Sequence, residues 1–156
     1  QYWDGNITLG AHSTIRADNN FYIDGVISGS SKNLTKTGNG TVILRGTNTY
    51  SGTTTVSAGT LTIGGSGTLG SGSYSGTIAN SGTFNFASSA AQTLSGVISG
   101  SGALTKSGSS TLTLSGTNTY NGDTTISAGT TPAYSRRTRH KAARPARHPG
   151  SCPAGG

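Results

Sequence analysis

The sequence contains no methionine and no glutamate, and its single cysteine is Cys152. One cysteine cannot form an intramolecular disulfide, and residues 1–130 carry no thiol at all. Charged residues make up only 10% of the 156-residue chain. No apolar run approaches the ~18 residues that a membrane-spanning helix needs. The sequence is therefore neither a disulfide scaffold nor a helical membrane protein.

The net charge of +7 is concentrated at the C-terminal end. Residues 1–130 carry five Lys or Arg against four Asp, a net charge of +1, whereas residues 131–156 carry six Lys or Arg and no acid. A flexible basic arm of this kind is typical of segments that bind nucleic acid or anionic surfaces. If the arm is native, a basic-tailed nucleic-acid or anionic-surface binder is one alternative function.

An internal repeat organises the rest of the chain. Residues 34–60, "LTKTGNGTVILRGTNTYSGTTTVSAGT", align without gaps with residues 104–130, "LTKSGSSTLTLSGTNTYNGDTTISAGT", and 18 of 27 positions are identical. The match extends upstream, "DGVISGS" against "SGVISGS", if one residue is inserted near Lys32. The repeat units therefore cover about 24–60 and 95–130.

Short strand patterns recur within the repeat at intervals close to 20 residues. Apolar and polar residues alternate with a period of two, bounded by Gly, Asn and Ser, as strands do. Equivalent openings lie at Thr41, Thr60, Thr83 and Ala103. Strands at this spacing without helices between them predict a β-solenoid of about six coils. The residues predicted to stack inside it are Val42, Leu44, Leu61, Ile63, Phe84, Phe86, Leu112 and Leu114.

A disordered Gly/Ser/Thr segment is the alternative that composition favours, since Gly alone contributes 26 residues. Disorder, however, does not require apolar residues at alternating positions in a repeated register. We therefore predict an all-β fold over residues 1–130.

The segment "GVISGSGALTKSGSSTLTLSGTNTYNGDTTISAGT", residues 96–130, resembles the autotransporter-associated β-strand repeat, or passenger-associated transport repeat, of type V secretion passengers. The same pattern can be followed from Leu34. The resemblance implies a right-handed parallel β-helix, exported with a signal peptide and carried across the outer membrane by a C-terminal β-barrel. It implies an extracellular, cell-surface location and a structural or adhesive role rather than catalysis.

Residues 131–156 depart from the repeat pattern, which continues after "AGT" with Leu and often Gln. This chain instead has Thr131, Pro132 and Ala133. Removing one base after the codon of Thr130 restores Leu-Gln, so we interpret the basic low-complexity tail as frameshift-derived and predict that it is disordered. Because the chain starts at Gln1 without a signal sequence, we expect it to be a fragment of a longer protein.

Searching for chemistry yields only weak candidates. Asp18 and Asp24 are the closest acids, and paired carboxylates serve glycosidases, so a polysaccharide-degrading β-helix fragment is a second alternative function. Asp24 precedes Gly25, however, and is better interpreted as a turn residue. His12 has no acidic or cysteine partner nearby in sequence.

Three further motifs have structural explanations. Residues 65–70, "GSGTLG", match G-x-G-x-x-G, but no helical pattern follows, so the dinucleotide-binding context is missing. Asn6 and Asn33 begin formal glycosylation sequons that we interpret as accidental in a bacterial-looking chain. Tyr50 and Tyr120 occupy the same repeat position and are predicted to be stacked structural aromatics.

We therefore predict a non-enzymatic protein with no catalytic, cofactor-binding or metal-binding residues, and with no cofactor. The expected partners are surface glycans or proteins of host or neighbouring cells, reached through a repeated polar surface. Self-association through the solenoid ends is also expected. Nucleic acid is a partner only if residues 131–156 are native, and the membrane only through the C-terminal β-barrel that the resemblance implies.

Overall fold

A computed structural model describes residues 1–129, and the predicted disordered tail lies outside them. Within this range the chain forms seventeen short β-strands and one turn of 3-10 helix at Gly70–Gly72. The strands are β1 (Tyr2–Trp3), β2 (Ile7–Thr8), β3 (Ser13–Arg16), β4 (Phe21–Ile23), β5 (Ile27–Ser28), β6 (Leu34–Thr37), β7 (Thr41–Leu44), β8 (Thr54–Val56), β9 (Thr60–Ile63), β10 (Ser73–Tyr74), β11 (Ile78–Asn80), β12 (Thr83–Phe86), β13 (Gln92–Leu94), β14 (Ile98–Ser99), β15 (Ala103–Lys106), β16 (Leu112–Leu114) and β17 (Thr124–Ile126).

The strands stack in parallel as the coils of a β-solenoid, which confirms the predicted fold class. The large sheet has the order β1-β4-β7-β9-β12-β15-β17, and a five-stranded sheet has the order β14-β11-β8-β6-β3. The third side of the coils carries the pair β2-β5 and the sheet β10-β13-β16. Among residues 1–129 there is no helix that is long and apolar enough to cross a membrane.

The predicted spacing is confirmed residue by residue in the large sheet. Thr41 pairs with Thr60, Thr60 with Thr83, and Thr83 with Ala103. The two alternating inward positions of these strands hold Val42 and Leu44 and their equivalents, each at most 1% exposed in β7, β9 and β12. Each coil thus buries its apolar row against the coils above and below it, as a solenoid requires.

Leu112 is buried in the core, as predicted, and Leu114 packs against that core, but neither lies in the rows of the large sheet. Both leucines belong to β16, which pairs with β13 on the third side, and Leu114 is only half-buried. In the large sheet, the inward positions of β15 hold Leu104 and Lys106, which pair with Phe84 and Phe86. The alternating pattern predicts strand β16 but not the side of the coil on which it lies.

The two copies of the sequence repeat therefore lie on different sides of the solenoid. Leu34 begins β6 in the five-stranded sheet, and three coils later the register reaches Ile98 through Thr54 and Ile78. The second copy begins six residues beyond, at Leu104, on the large sheet. The 70-residue repeat thus equals three coils plus one side, so equivalent residues are rotated about the solenoid axis.

A buried asparagine links coils where the backbone ladder is interrupted. The Asn48 side chain accepts a hydrogen bond from the Ile27 backbone N–H at 2.9 Å. Its amide nitrogen donates to the carbonyl oxygens of Gly46 (2.8 Å) and Thr68 (3.1 Å). Asn118, its repeat equivalent, accepts from the Ile98 N–H at 2.8 Å, but its Nδ2 has no partner among residues 1–129.

We predict that Asn48→Ala lowers the free energy of unfolding by about 1–3 kcal/mol, because the buried Ile27 N–H loses its acceptor. The carbonyls of Gly46 and Thr68 each lose one of two donors as well. Asn118→Ala is the matched control and should cost less, since it removes one hydrogen bond rather than three. Urea unfolding followed by far-ultraviolet circular dichroism measures both. If Asn118→Ala lowers the free energy of unfolding as much as Asn48→Ala or more, the three hydrogen bonds of Asn48 do not stabilise the stacked coils as predicted.

Candidate functional site: the lysine corners

Two lysines lie inside the solenoid, each only 1% exposed. Lys36 is on β6 and Lys106 on β15, at equivalent positions of the two repeats. Both side chains point inward because they follow Leu34 and Leu104 by two residues, on the buried face of their strands. Full burial is rare for lysine unless its ammonium group is hydrogen-bonded, so its partners are informative.

The Lys36 ammonium group is held by three backbone carbonyls at one corner of the solenoid. Nζ donates to the carbonyl oxygens of Thr37 at 2.8 Å, Gly38 at 2.7 Å and Ala58 at 3.1 Å. An ammonium group has three N–H donors, so this set satisfies all of them. Because Ala58 belongs to the next coil, the lysine ties two consecutive coils together.

Lys106 repeats the arrangement on another side of the coil. Its Nζ donates to the carbonyl oxygens of Gly108 and, at 3.4 Å, of Ala128 in the following coil. The ammonium nitrogen also lies 5.4 Å from the ring centroid of Phe86, within the range of a cation–π contact. We call these two arrangements the lysine corners.

The local sequence explains why the backbone turns at the lysine corners. Gly59 and Gly129, which follow the accepting alanines, have φ values of 66° and 75°, in the left-handed region that glycine adopts at little cost. A Cβ at Gly129 would lie 2.6 Å from Nζ of Lys106, so a side chain there would also displace the ammonium group. The segments "LTK" and "SAG" thus build a lysine corner from two successive coils.

Burial lowers the pKa of both Lys36 and Lys106, because removal from water disfavours the charged form. For Lys36 the nearby Asp18 carboxylate opposes this effect. Composition and motif searches do not identify these lysines as a site, because they count only as two charges in a nearly neutral region. The usable signal was their position within an alternating strand pattern, in phase with the buried leucines.

The candidates weighed from sequence are each held in a structural role. Asp18 pairs with Arg16 at 2.9 Å, and Asp24 pairs with Arg45 at 3.5 Å, so each acid has its own arginine. His12 Nδ1 accepts a hydrogen bond from the Asn33 backbone N–H at 3.1 Å. No group of three or more His, Cys, Asp or Glu side chains that could hold a metal ion occurs in residues 1–129.

The glycine-rich and sequon motifs also belong to the coil structure. Residues 65–70 lead into the 3-10 turn rather than an α-helix, and Leu69 exchanges backbone hydrogen bonds with the buried Gln92 side chain, at 2.7 and 3.0 Å. The side-chain oxygens of Asn6 and Asn33 accept hydrogen bonds from backbone N–H groups one coil on, of Val26 and Thr53. These asparagines bridge coils.

The tyrosines of the repeat are core residues, as predicted. Tyr50 is fully buried and Tyr120 is 6% exposed, and each bonds to the threonine four residues later. Tyr50 packs edge-on against Tyr74 with ring centroids 5.8 Å apart. Thr54 Oγ1 lies 2.9 Å from the Tyr50 hydroxyl and 2.8 Å from that of Tyr74, which donates to the Gly52 carbonyl.

The regions that match a known family model coincide with the lysine corners. The model of the passenger-associated-transport-repeat matches residues 34–63 and 104–131. The first match contains Lys36 and Ala58, and the second contains Lys106 and Ala128. Both copies of the internal sequence repeat thus match the model of this family. No curated protein and no solved structure matches the chain.

We predict that Lys36→Met lowers the free energy of unfolding by about 1–3 kcal/mol, because the corner carbonyls lose a charged donor while the aliphatic stem is kept. Lys106→Met should cost less, since among residues 1–129 it removes two carbonyl contacts, one of them long, and one cation–π contact at 5.4 Å, whereas Lys36→Met removes three carbonyl contacts. Urea unfolding at neutral pH measures both. A Lys36→Met protein as stable as the original would show that an apolar corner serves equally well.

A second prediction concerns alkaline pH. Burial raises the pKa of Tyr50 and raises that of Tyr74 to about 12. Because the folded-state pKa exceeds the unfolded value of about 10, the stabilisation is fully present below pH ~10 and is lost as the pH rises through the folded pKa. The lowered pKa values of the two buried lysines act in the opposite direction and only up to their unfolded value, about 10.4.

The free energy of unfolding should therefore fall as the pH rises above about 10. Tyr50→Phe should make this fall shallower, because one of the two buried hydroxyls no longer has to ionise. Urea titrations at several pH values between about 8 and 12 test this, with tyrosinate absorbance reporting ionisation. An unchanged slope in Tyr50→Phe would contradict it.

Proposed function

We propose that the chain is a passenger segment of an autotransporter-like bacterial surface protein, folded outside the cell and carrying an exposed polar surface. The observation that carries the proposal is the coincidence of both family matches with a lysine corner. In each, the residues that characterise the repeat connect one coil to the next. The repeat is thus a structural unit for stacking coils.

The pattern of contacts supports folding by coil addition. Lys36 and Ala58 lie 22 residues apart, and Lys106 and Ala128 are separated by the same distance along the chain. A chain that emerges progressively can complete each corner as soon as the next coil arrives, and each folded coil presents a sheet edge to it. The absence of cysteine in residues 1–129 means that no disulfide is needed for this process.

The repeat region, residues 1–130, is suited to passage through a pore as an unfolded chain. The net charge of residues 1–130 is +1, and the buried core residues are spread along the sequence from Leu9 to Tyr120. Folding after passage then buries the apolar rows, the three core tyrosines and the two lysines together. We propose an adhesive contribution from the outward faces of the sheets, which carry Thr, Ser and Asn side chains.

The secretion role can be tested by placing this segment between a signal peptide and the translocating domain of a known autotransporter. We expect the segment to become protease-accessible on intact cells and to resist digestion as a folded unit. The Lys36→Met/Lys106→Met double variant should lower the folded, surface-exposed amount several-fold, because a loss of a few kcal/mol reduces the abundance of a marginally stable protein.

Lys32→Met is the matched control, because Lys32 lies between strands β5 and β6 and its side chain is not part of a lysine corner. It should leave the surface-exposed amount unchanged. If the double variant and the control behave alike, the lysine corners have no part in secretion. If the original segment stays inside the cell, the passenger proposal itself fails.

A further inference from the structure

The outward face of the large sheet carries an uncharged strip across five consecutive coils. The strip consists of two rows that run along the solenoid axis, perpendicular to strands β7, β9, β12, β15 and β17. We call it the neutral strip. Its first row is Thr41, Thr60, Thr83 and Ala103, and its second row is Ile43, Thr62, Asn85, Thr105 and Thr125.

The rows are regular because the strands pair in register. Neighbouring members of a row are separated by one strand spacing, about 4.8 Å, and the two rows lie about 7 Å apart. Six of the nine residues are threonines, which carry a methyl group and a hydroxyl group each. Five of the six are half-buried or exposed, whereas Thr62 on β9 is buried. The Asn85 amide is oriented by a 2.8 Å hydrogen bond to its Oδ1 from the Ser107 hydroxyl.

Within residues 1–129, the charged side chains next to the neutral strip lie at its ends rather than within it. Arg45 flanks the first strand, where it pairs with Asp24 at 3.5 Å and stacks 4.5 Å over the Tyr22 ring. Asp123 precedes the last strand. Lys106 is on a strand of the strip but points inward. A face without charge does not attract phosphates or other anions.

The size of the neutral strip argues against a second protein as its occupant. Five strands span about 19 Å, and two rows of small side chains are about 10 Å wide, so the face offers on the order of 200 Å². A stable protein–protein interface buries about 800 Å² on each partner. The strip is long, narrow and periodic, which fits an extended chain better than a folded domain.

We propose that the neutral strip binds a neutral polysaccharide chain lying along the solenoid axis, and this rests on the surface role proposed above. Sugar hydroxyls hydrogen-bond to the hydroxyls of Thr60, Thr83 and Thr105 and to the Asn85 amide. The C–H faces of the rings contact the methyl groups of the accessible threonines and Ile43. Each hydrogen bond contributes about 1 kcal/mol net, so one site binds weakly. Many copies on one cell surface bind strongly through multivalency.

The test uses the full 156-residue chain and swollen amorphous cellulose as the probe. The chain should sediment with the cellulose, and retention should change little between about 0.05 and 0.5 M NaCl, because no ion pairs are involved. The double variant Thr60→Lys/Thr105→Lys places two charges on the neutral strip, and its retention should fall about tenfold. Beads coated with the protein amplify weak binding in the same assay.

The matched control is Thr55→Lys/Thr93→Lys, which adds the same charge at outward positions of the five-stranded sheet and of the third side. It should retain binding. Circular dichroism confirms that both variants fold, so a folding defect is distinguished from a loss of contact, and the secretion assay above tests the passenger role separately. The proposal is overturned if the original chain does not sediment, if retention falls steeply with salt, or if both double variants lose binding equally.

Discussion

The structure depends on one constraint, the parallel register between residues about 20 positions apart. A single coil is a strip of backbone with one apolar row, and it cannot bury that row or complete its hydrogen bonds alone. The close approach of successive corners follows from the same register: Gly52, Gly76, Gly96 and Gly116 stack above one another, and a Cβ at each of the last three would collide with the glycine carbonyl one coil below. The glycine content that composition alone assigns to disorder is therefore required by stacking.

Charge inside the core follows from the shape of the corners. Where the chain turns at the Lys36 corner, carbonyl oxygens of two successive coils, those of Gly38 and Ala58, converge on the inside of the corner. Lysine has a flexible apolar stem long enough to cross the coil and three donors at its end, so it satisfies these carbonyls and fills the row between them. A leucine at the same position would fill the row but would leave the corner carbonyls without the ammonium donor. The cost of burying the ammonium group is offset only because Gly38, Ala58 and Thr37 converge on it.

The sequence was sufficient to predict the strands, their period and the register of the large sheet from β7 to β15. It was not sufficient to predict which side of the coil a strand occupies, because alternation reports inward or outward only. Leu112 is inward as predicted, but alternation alone does not show that it stacks on Gln92 on the third side rather than on Phe84 in the large sheet. The inward lysines were missed for a related reason: charge alone is normally a sign of exposure, and the carbonyls that reverse it come from another coil.

The rotation between repeats also decides what the surface displays. Thr41 and Ile43 of the first repeat face outward on the large sheet, but their repeat equivalents, Thr111 and Thr113, lie at or on β16 on the third side. The outward residues of β15 and β17 correspond to repeat positions that lie on the five-stranded sheet in the first repeat. The neutral strip is thus assembled from different repeat positions whose shared property is a small, uncharged side chain. The two copies of the repeat place the same positions on different sides of the solenoid. Because the outward positions near the centre of their strands are uncharged, the neutral strip forms even though its strands come from different parts of the repeat.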